Sequence, residues 1–253
     1  MKELLVAMLV AAPAIGWAQG LLDFRSDLAF QASTVEAVAA RAYHARLRAL
    51  AADGRLDADA VLLGRVRRLV ARLKPAADFE RPGAVAMSWE IHVCRRCGEN
   101  ASAMAGGQLL VGEEFIAELA LSDDELGYVL AHEMAHVLAE HAREFATTAR
   151  FFVGNGRNRD YEDIQNELDE SLAVNLRMAP VLAQQELEAD YMGFILGARS
   201  GFDPEAMPGM LRKLHAESGR SLVRHPGAAE RMERAQAMLQ TAHRIHDAGM
   251  PTR

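Results

Sequence analysis

A chain of 253 residues, half of them hydrophobic, can hold one large domain or two small ones and bury a sizeable core. Its formal net charge of −7 and low aromatic content argue against a nucleic-acid partner, which needs a basic patch and stacking surfaces.

The N-terminus, "MKELLVAMLVAAPAIGWAQG", has one Lys, an apolar run from Leu4 and small residues around Ala18. This order reads as a secretory signal peptide over residues 1–18. The competing reading is a short membrane anchor, for which the run falls short of the roughly 20 residues that span a bilayer. No later segment is apolar enough to span, so no stable transmembrane segment is expected after cleavage. The expected location is the periplasm, since the Ala- and Arg-rich composition looks bacterial. Residues 19–253 are expected to form a single domain.

Residues 23–52 have helical spacing, and "ADGR" at 52–55 is a turn. Asp57 is placed to cap a second helix that ends where Pro75 stops it. Residues 87–97, "MSWEIHVCRRC", alternate and read as a strand. His92 in that strand reads as a satisfied structural histidine. Cys94 and Cys97 are the chain's only cysteines. A four-cysteine zinc site would need a second pair, and the redox reading needs a helix after the motif, so a local disulfide is expected in an oxidising compartment. Gly106 and Gly107 mark a turn into a further strand, "GQLLVG".

Ser122 and Glu125, in "SDDE", form a capping box that opens a helix sustained past His141. Beyond it, "FVGNGRNRDYEDIQNE" contains a loop, with a helix resuming near Tyr161. Pro180 interrupts or restarts it. Two helices then break at residues 201–204, and a loop, "RHPG", leads to the last helix.

The chemistry lies in "VLAHEMAHVLAEH", residues 129–141. His132 and His136 are four apart, with Glu133 between them, giving H-E-x-x-H. Residues four apart on a helix differ by about 40° around its axis, so the imidazoles share a face and can share a zinc ion. Glu133, displaced by about 100°, can act as general base on a water beside the metal. A catalytic zinc takes three protein ligands and keeps one position open. The corresponding positions for H-E-x-x-H-x-x-G-x-x-H are Ala139 and Ala142, so that route to a third ligand fails. His141, about half a turn round from His132, is expected on the opposite face, structural or solvent-facing. "ELEAD", residues 186–190, offers the alternative: Glu186 as the third ligand, and Asp190 one turn on as acceptor from the outer nitrogen of a zinc-bound histidine. The competing reading is an acidic solvated face, against which the apolar neighbours Phe194, Ile195 and Leu196 weigh.

H-E-x-x-H followed by E-x-x-A-D resembles the CAAX-prenyl-protease-like and HtpX/BepA-like zinc metallopeptidases of peptidase family M48. The resemblance spans residues 89–239 and includes "ENASAMAGGQLLV", "ELEADYMGFILGARSGFDPEAM" and "RHPGAAERMERAQAML". It implies a zincin-like α+β fold, mainly helical, with a small sheet beside the active-site helix. It also implies one Zn²⁺ per chain on His132, His136 and Glu186, with Glu133, Asp190 and His225 in the catalytic set. His225, which the residues alone mark only as a loop histidine before Pro226, comes from the resemblance; in similar proteins that loop can cover the metal. The chain is expected to depart from the family in lacking transmembrane helices and a tetratricopeptide domain, and its C-x-x-C is given no role by the resemblance. The expected activity is endopeptidase cleavage of unfolded or misassembled envelope proteins, as protein quality control, with an extended substrate adding as a strand along "GGQLLVG". The alternative is a non-proteolytic, zinc-bound, chaperone-like binding protein whose site is shut by the His225 loop.

Overall fold

The computed structural model describes residues 28–217 and 228–250. Two long helices come first, α1 (Ala32–Ala52) and α2 (Ala60–Glu80). The cap of α2 is Asp59 rather than Asp57: its carboxylate accepts from the backbone N–H of Val61 and Leu62. Asp57 instead has φ +50° and is tied to the sheet, with Oδ1 accepting from Val93 N at 3.0 Å and Oδ2 lying 2.6 Å from His92 Nδ1. His92 is thus the paired histidine its setting suggested.

Neither expected proline break occurs. α2 runs through Pro75 to Glu80. A later helix, α7 (Leu172–Arg199), runs through Pro180. Proline removes one N–H and crowds the carbonyl four residues back. Both prolines, and Ala71 and Leu176 four residues before them, are exposed, so that carbonyl can turn to water. Buried neighbours, Ala76 and Ala77 in α2 and Met178 in α7, hold the helix on its other side.

Three strands follow: β1 (Glu90–Cys94), β2 (Ala101–Met104) and β3 (Gln108–Gly112). Their order is β1-β3-β2, with β3 parallel to β1 and antiparallel to β2. β3 is covered on both faces. Leu110 packs with Tyr43, Leu47 and Leu50 of α1, while Leu109 and Val111 join the main core. That double burial explains why "LLV" shows no alternation. β2, within "ENASAMAGGQLLV", was hidden by its small side chains. The turn after β1 is closed by the Cys94–Cys97 disulfide.

A short helix α3 (Glu113–Glu118) leads to α4 (Asp123–Leu138). The capping box forms as read: Ser122 Oγ accepts from Glu125 N at 3.1 Å, and Ser122 N donates to Glu125 Oε2 at 2.9 Å. Only Asp123, Asp124 and His136 of its 16 residues are less than fully buried. A helix apolar on nearly every side belongs in the centre of a core. It ends earlier than expected. Glu140 takes φ +57°, and a new helix, α5 (His141–Ala149), starts in another direction. Arg81 Nη2 and Arg143 Nη1 each donate to the Glu140 carboxylate at 2.7 Å, and Arg81 also bonds the Leu138 carbonyl, which fixes the turn.

The remaining helices are α6 (Tyr161–Glu170), α7, α8 (Ala206–Glu217) and α9 (Ala228–Ala248). The result is the mainly helical α+β fold expected, a small sheet beside the central helix. No helix among the described residues is long and apolar enough to cross a membrane.

α4 and α7 touch through glycine. A Cβ on Gly193 would lie 2.9 Å from both Cα and N of His132, and one on Gly197 would lie 2.2 Å from the Tyr128 ring. Only a residue without a side chain lets the two backbones approach this closely. Gly193→Ala is therefore expected to force the helices apart and to lower unfolding stability by about 1–3 kcal/mol in urea denaturation. Gly154→Ala, whose added methyl would meet no atom within 4 Å, should leave the midpoint unchanged.

Candidate metal centre

His132 and His136 project from the same side of α4, one turn apart, with ring centroids 4.7 Å apart. Their Nε2 atoms are 3.0 Å from each other. α7 brings Glu186 to both: Oε2 lies 3.4 Å from His132 Nε2, and Oε1 lies 3.4 Å from His136 Nε2. One ligand atom from each of the three side chains falls within a 4.8 Å cluster. It is the one group of three or more such residues found among the described residues.

The surroundings tune these groups in opposite directions. Burial by itself lowers the pKa of both imidazoles. Around His132 the bonds to Asp190 and Glu186 outweigh burial and push it up to about 10. Around His136 burial prevails, and with His132 and His141 alongside the pKa is pushed down to about 3. The Nε2 atoms of both imidazoles and the Glu186 carboxylate thus converge on one point. This is a donor set that fits a divalent metal such as zinc.

The outer contacts come mainly from α7. Asp190, one turn beyond Glu186, places Oδ1 2.9 Å from His132 Nδ1. Asp190 is itself gripped by Arg231 of α9, which donates from Nε to Oδ2 at 2.6 Å and from Nη2 to Oδ1 at 2.8 Å. Arg231 Nη1 also lies 3.2 Å from Glu186 Oε2. Burial would raise the Asp190 pKa, but Arg231 and His132 hold it below the ordinary carboxylate range. Arg231 was not singled out from the sequence. Its signal was present in the "ER" after the His-Pro segment, but a lone arginine in an amphipathic helix reads as solvent-facing.

Glu133 is buried and lines a cleft of about 370 Å³ together with His136 and Glu186. Ala101, Ser102 and Ala103 of β2 form one wall of that cleft. This corrects the expected docking strand. "GGQLLVG" supplies β3, which is paired on both sides and has no free edge, whereas β2 has β3 as its one neighbour in the sheet.

His141 is also corrected. It is buried at 3% exposure, and its Nδ1 lies 2.8 Å from His136 Nδ1. An unbroken helix would have carried it to the far face; the turn at Glu140 swings it back. His225 lies outside the described residues.

These features together are those of a zincin-like metallopeptidase. The family model described as Peptidase family M48 matches residues 62–239, more than half of the chain, and the chain belongs to that family of metallopeptidases. It is similar to three proteins named mitochondrial metalloendopeptidase OMA1. That of Schizosaccharomyces pombe is 29% identical over 167 residues, covering 62% of this chain and 48% of the relative. That of Arabidopsis thaliana is 28% identical over 149 residues, 57% and 30% of the two chains. That of Saccharomyces cerevisiae is 27% identical over 173 residues, 64% and 50%. The chain thus spans half or less of the length of these relatives. They also overturn the periplasmic location read from the N-terminal segment, since all three are mitochondrial by name.

Removing Arg231 would leave Asp190 and Glu186 buried without their cation. Arg231→Ala is expected to destabilise the metal-free protein by about 3–5 kcal/mol at neutral pH. The sign of its pH dependence follows from Asp190. A carboxylate with a depressed folded pKa contributes stability above its unfolded value, 3.8, and loses it as pH falls through the lower folded value. The gap between wild type and variant in urea unfolding should therefore be widest at pH 7 and narrow below about pH 4.

Proposed function

We propose that this chain is a zinc-dependent endopeptidase that hydrolyses bonds within extended polypeptides. The observation that carries this reading is the convergence of His132, His136 and Glu186 beside a cleft that His136, Glu186 and Glu133 line. These three side chains are the proposed zinc ligands, one ion per chain. When bound, zinc supplies Lewis acidity to the scissile carbonyl and to the attacking water.

The chain's own groups do the rest. Glu133, which lines the same cleft, is the proposed general base, taking the proton of the attacking water and passing it to the leaving amine. Asp190 orients His132 through its outer nitrogen, and Arg231 keeps that carboxylate charged and fixed. The free edge of β2 is the proposed docking strand. A substrate backbone added there forms main-chain hydrogen bonds that ignore side-chain identity. That tolerance suits unfolded or misassembled proteins, envelope proteins among them, as substrates and quality control as the role. His225 is the proposed loop residue of the site, on the resemblance of "RHPGAAERMERAQAML" to the family's His-Pro segment.

The test is turnover of unfolded casein. Glu133→Gln should keep its zinc while kcat falls by about 10²–10⁴-fold. A chelator should abolish wild-type activity, and zinc should restore it. Equal background turnover by wild type, Glu133→Gln and His225→Ala would instead favour the zinc-bound binding protein.

A further inference from the structure

His141 lines the cleft and is buried against a proposed ligand. Its Nδ1 lies 2.8 Å from His136 Nδ1, with the rings 75° apart in an edge-on arrangement. The other ring nitrogen, Nε2, is buried and faces Glu188, whose Oε2 is 3.5 Å away. The backbone around it is held as well. Gln185 Nε2 donates to the His141 carbonyl at 3.1 Å and to Glu144 Oε2 at 2.8 Å, which pins the first turn of α5 to α7.

We propose that His141 is a positioning residue: it accepts a hydrogen bond from Nδ1–H of His136 and so fixes the tautomer and ring angle that present His136 Nε2 to the metal. The proposal deepens the zinc reading and rests on His136 being a ligand. The reasoning is one of proton placement. A histidine that offers Nε2 to a cation must carry its proton on Nδ1. That buried N–H needs an acceptor, and the atom at hydrogen-bond distance is His141 Nδ1. His141 must then be the tautomer protonated on Nε2, and that proton points towards the Glu188 carboxylate. Glu188 Oε2 lies 3.5 Å from that nitrogen, an ion-pair distance rather than a hydrogen bond, so the bonded pair is His141–His136.

The two metal histidines are thereby oriented differently. His132 leans on a carboxylate, Asp190, whereas His136 leans on a neutral ring. Both supports are set by α7, which carries Glu186, Asp190, Gln185 and Glu188 within one and a half turns.

The decisive variants are His141→Phe, which fills the space without an acceptor, and His141→Asn, whose Oδ1 falls close to the place of Nδ1. Zinc affinity should drop about 10–100-fold in His141→Phe and return to within about threefold of wild type in His141→Asn. The visible spectrum of the cobalt(II)-loaded protein should change in the first variant and revert in the second. In zinc-loaded wild type, ¹⁵N spectra of the histidine rings should show His141 protonated on Nε2 and bare on Nδ1. This measurement stands even if His141→Phe does not fold. Wild-type affinity in His141→Phe, or a proton on His141 Nδ1, would overturn the proposal. His136→Ala separates the two readings. If it binds zinc like wild type, the ligand assignment itself falls. If it loses zinc while His141→Phe keeps it, only the positioning role falls.

Discussion

The site exists because α4 and α7 approach closely at one point. Gly193 lies against the backbone of His132, where even a methyl group would collide. Two turns earlier on α7 stands Glu186, and the close contact sets how far its carboxylate reaches towards the two imidazoles. The stabilisation of the pair is largely apolar. Leu126, Leu130, Met134 and Leu138 of α4 and Phe194 and Leu196 of α7 are fully buried, each contributing about 1.5–3 kcal/mol relative to exposure. The candidate metal centre is thus built on a fully buried part of the core, where packing holds side chains in fixed rotamers.

Placing charges there creates a second constraint. Glu186, Asp190 and Glu133 are buried acids, and an unpaired buried carboxylate is costly. Arg231 answers it by bonding Asp190 and approaching Glu186. This draws the last helix into the site: α9 covers α7 and contributes the cation on which the arrangement of acids depends.

Much of this was legible beforehand because it follows from local rules. The capping box at Ser122, the co-facial pair His132 and His136, and the one-turn spacing of Glu186 and Asp190 are consequences of helical periodicity and cap chemistry. The errors arose where tertiary contacts overrode local preference. Pro75 and Pro180 are accommodated on exposed stretches, where Ala71 and Leu176 four residues back are open to water. β2 lacks the large β-branched residues that announce a strand and exists because β3 offers it a partner. Asp59 caps α2 because Asp57 is occupied by His92 and Val93.

By itself the sequence determined that one helix would present two imidazoles and a glutamate in metalloprotease spacing, and that a second helix would present two acids on one face. Periodicity is a property of a single helix and needs no partner. Only the tertiary structure decided where His141 points, which strand has a free edge and which arginine steadies the acids. Those outcomes hang on a single left-handed residue at Glu140, on the order of three strands, and on an arginine 41 residues downstream of Asp190. Each is a contact between distant parts of the chain, and no pattern of neighbours encodes it.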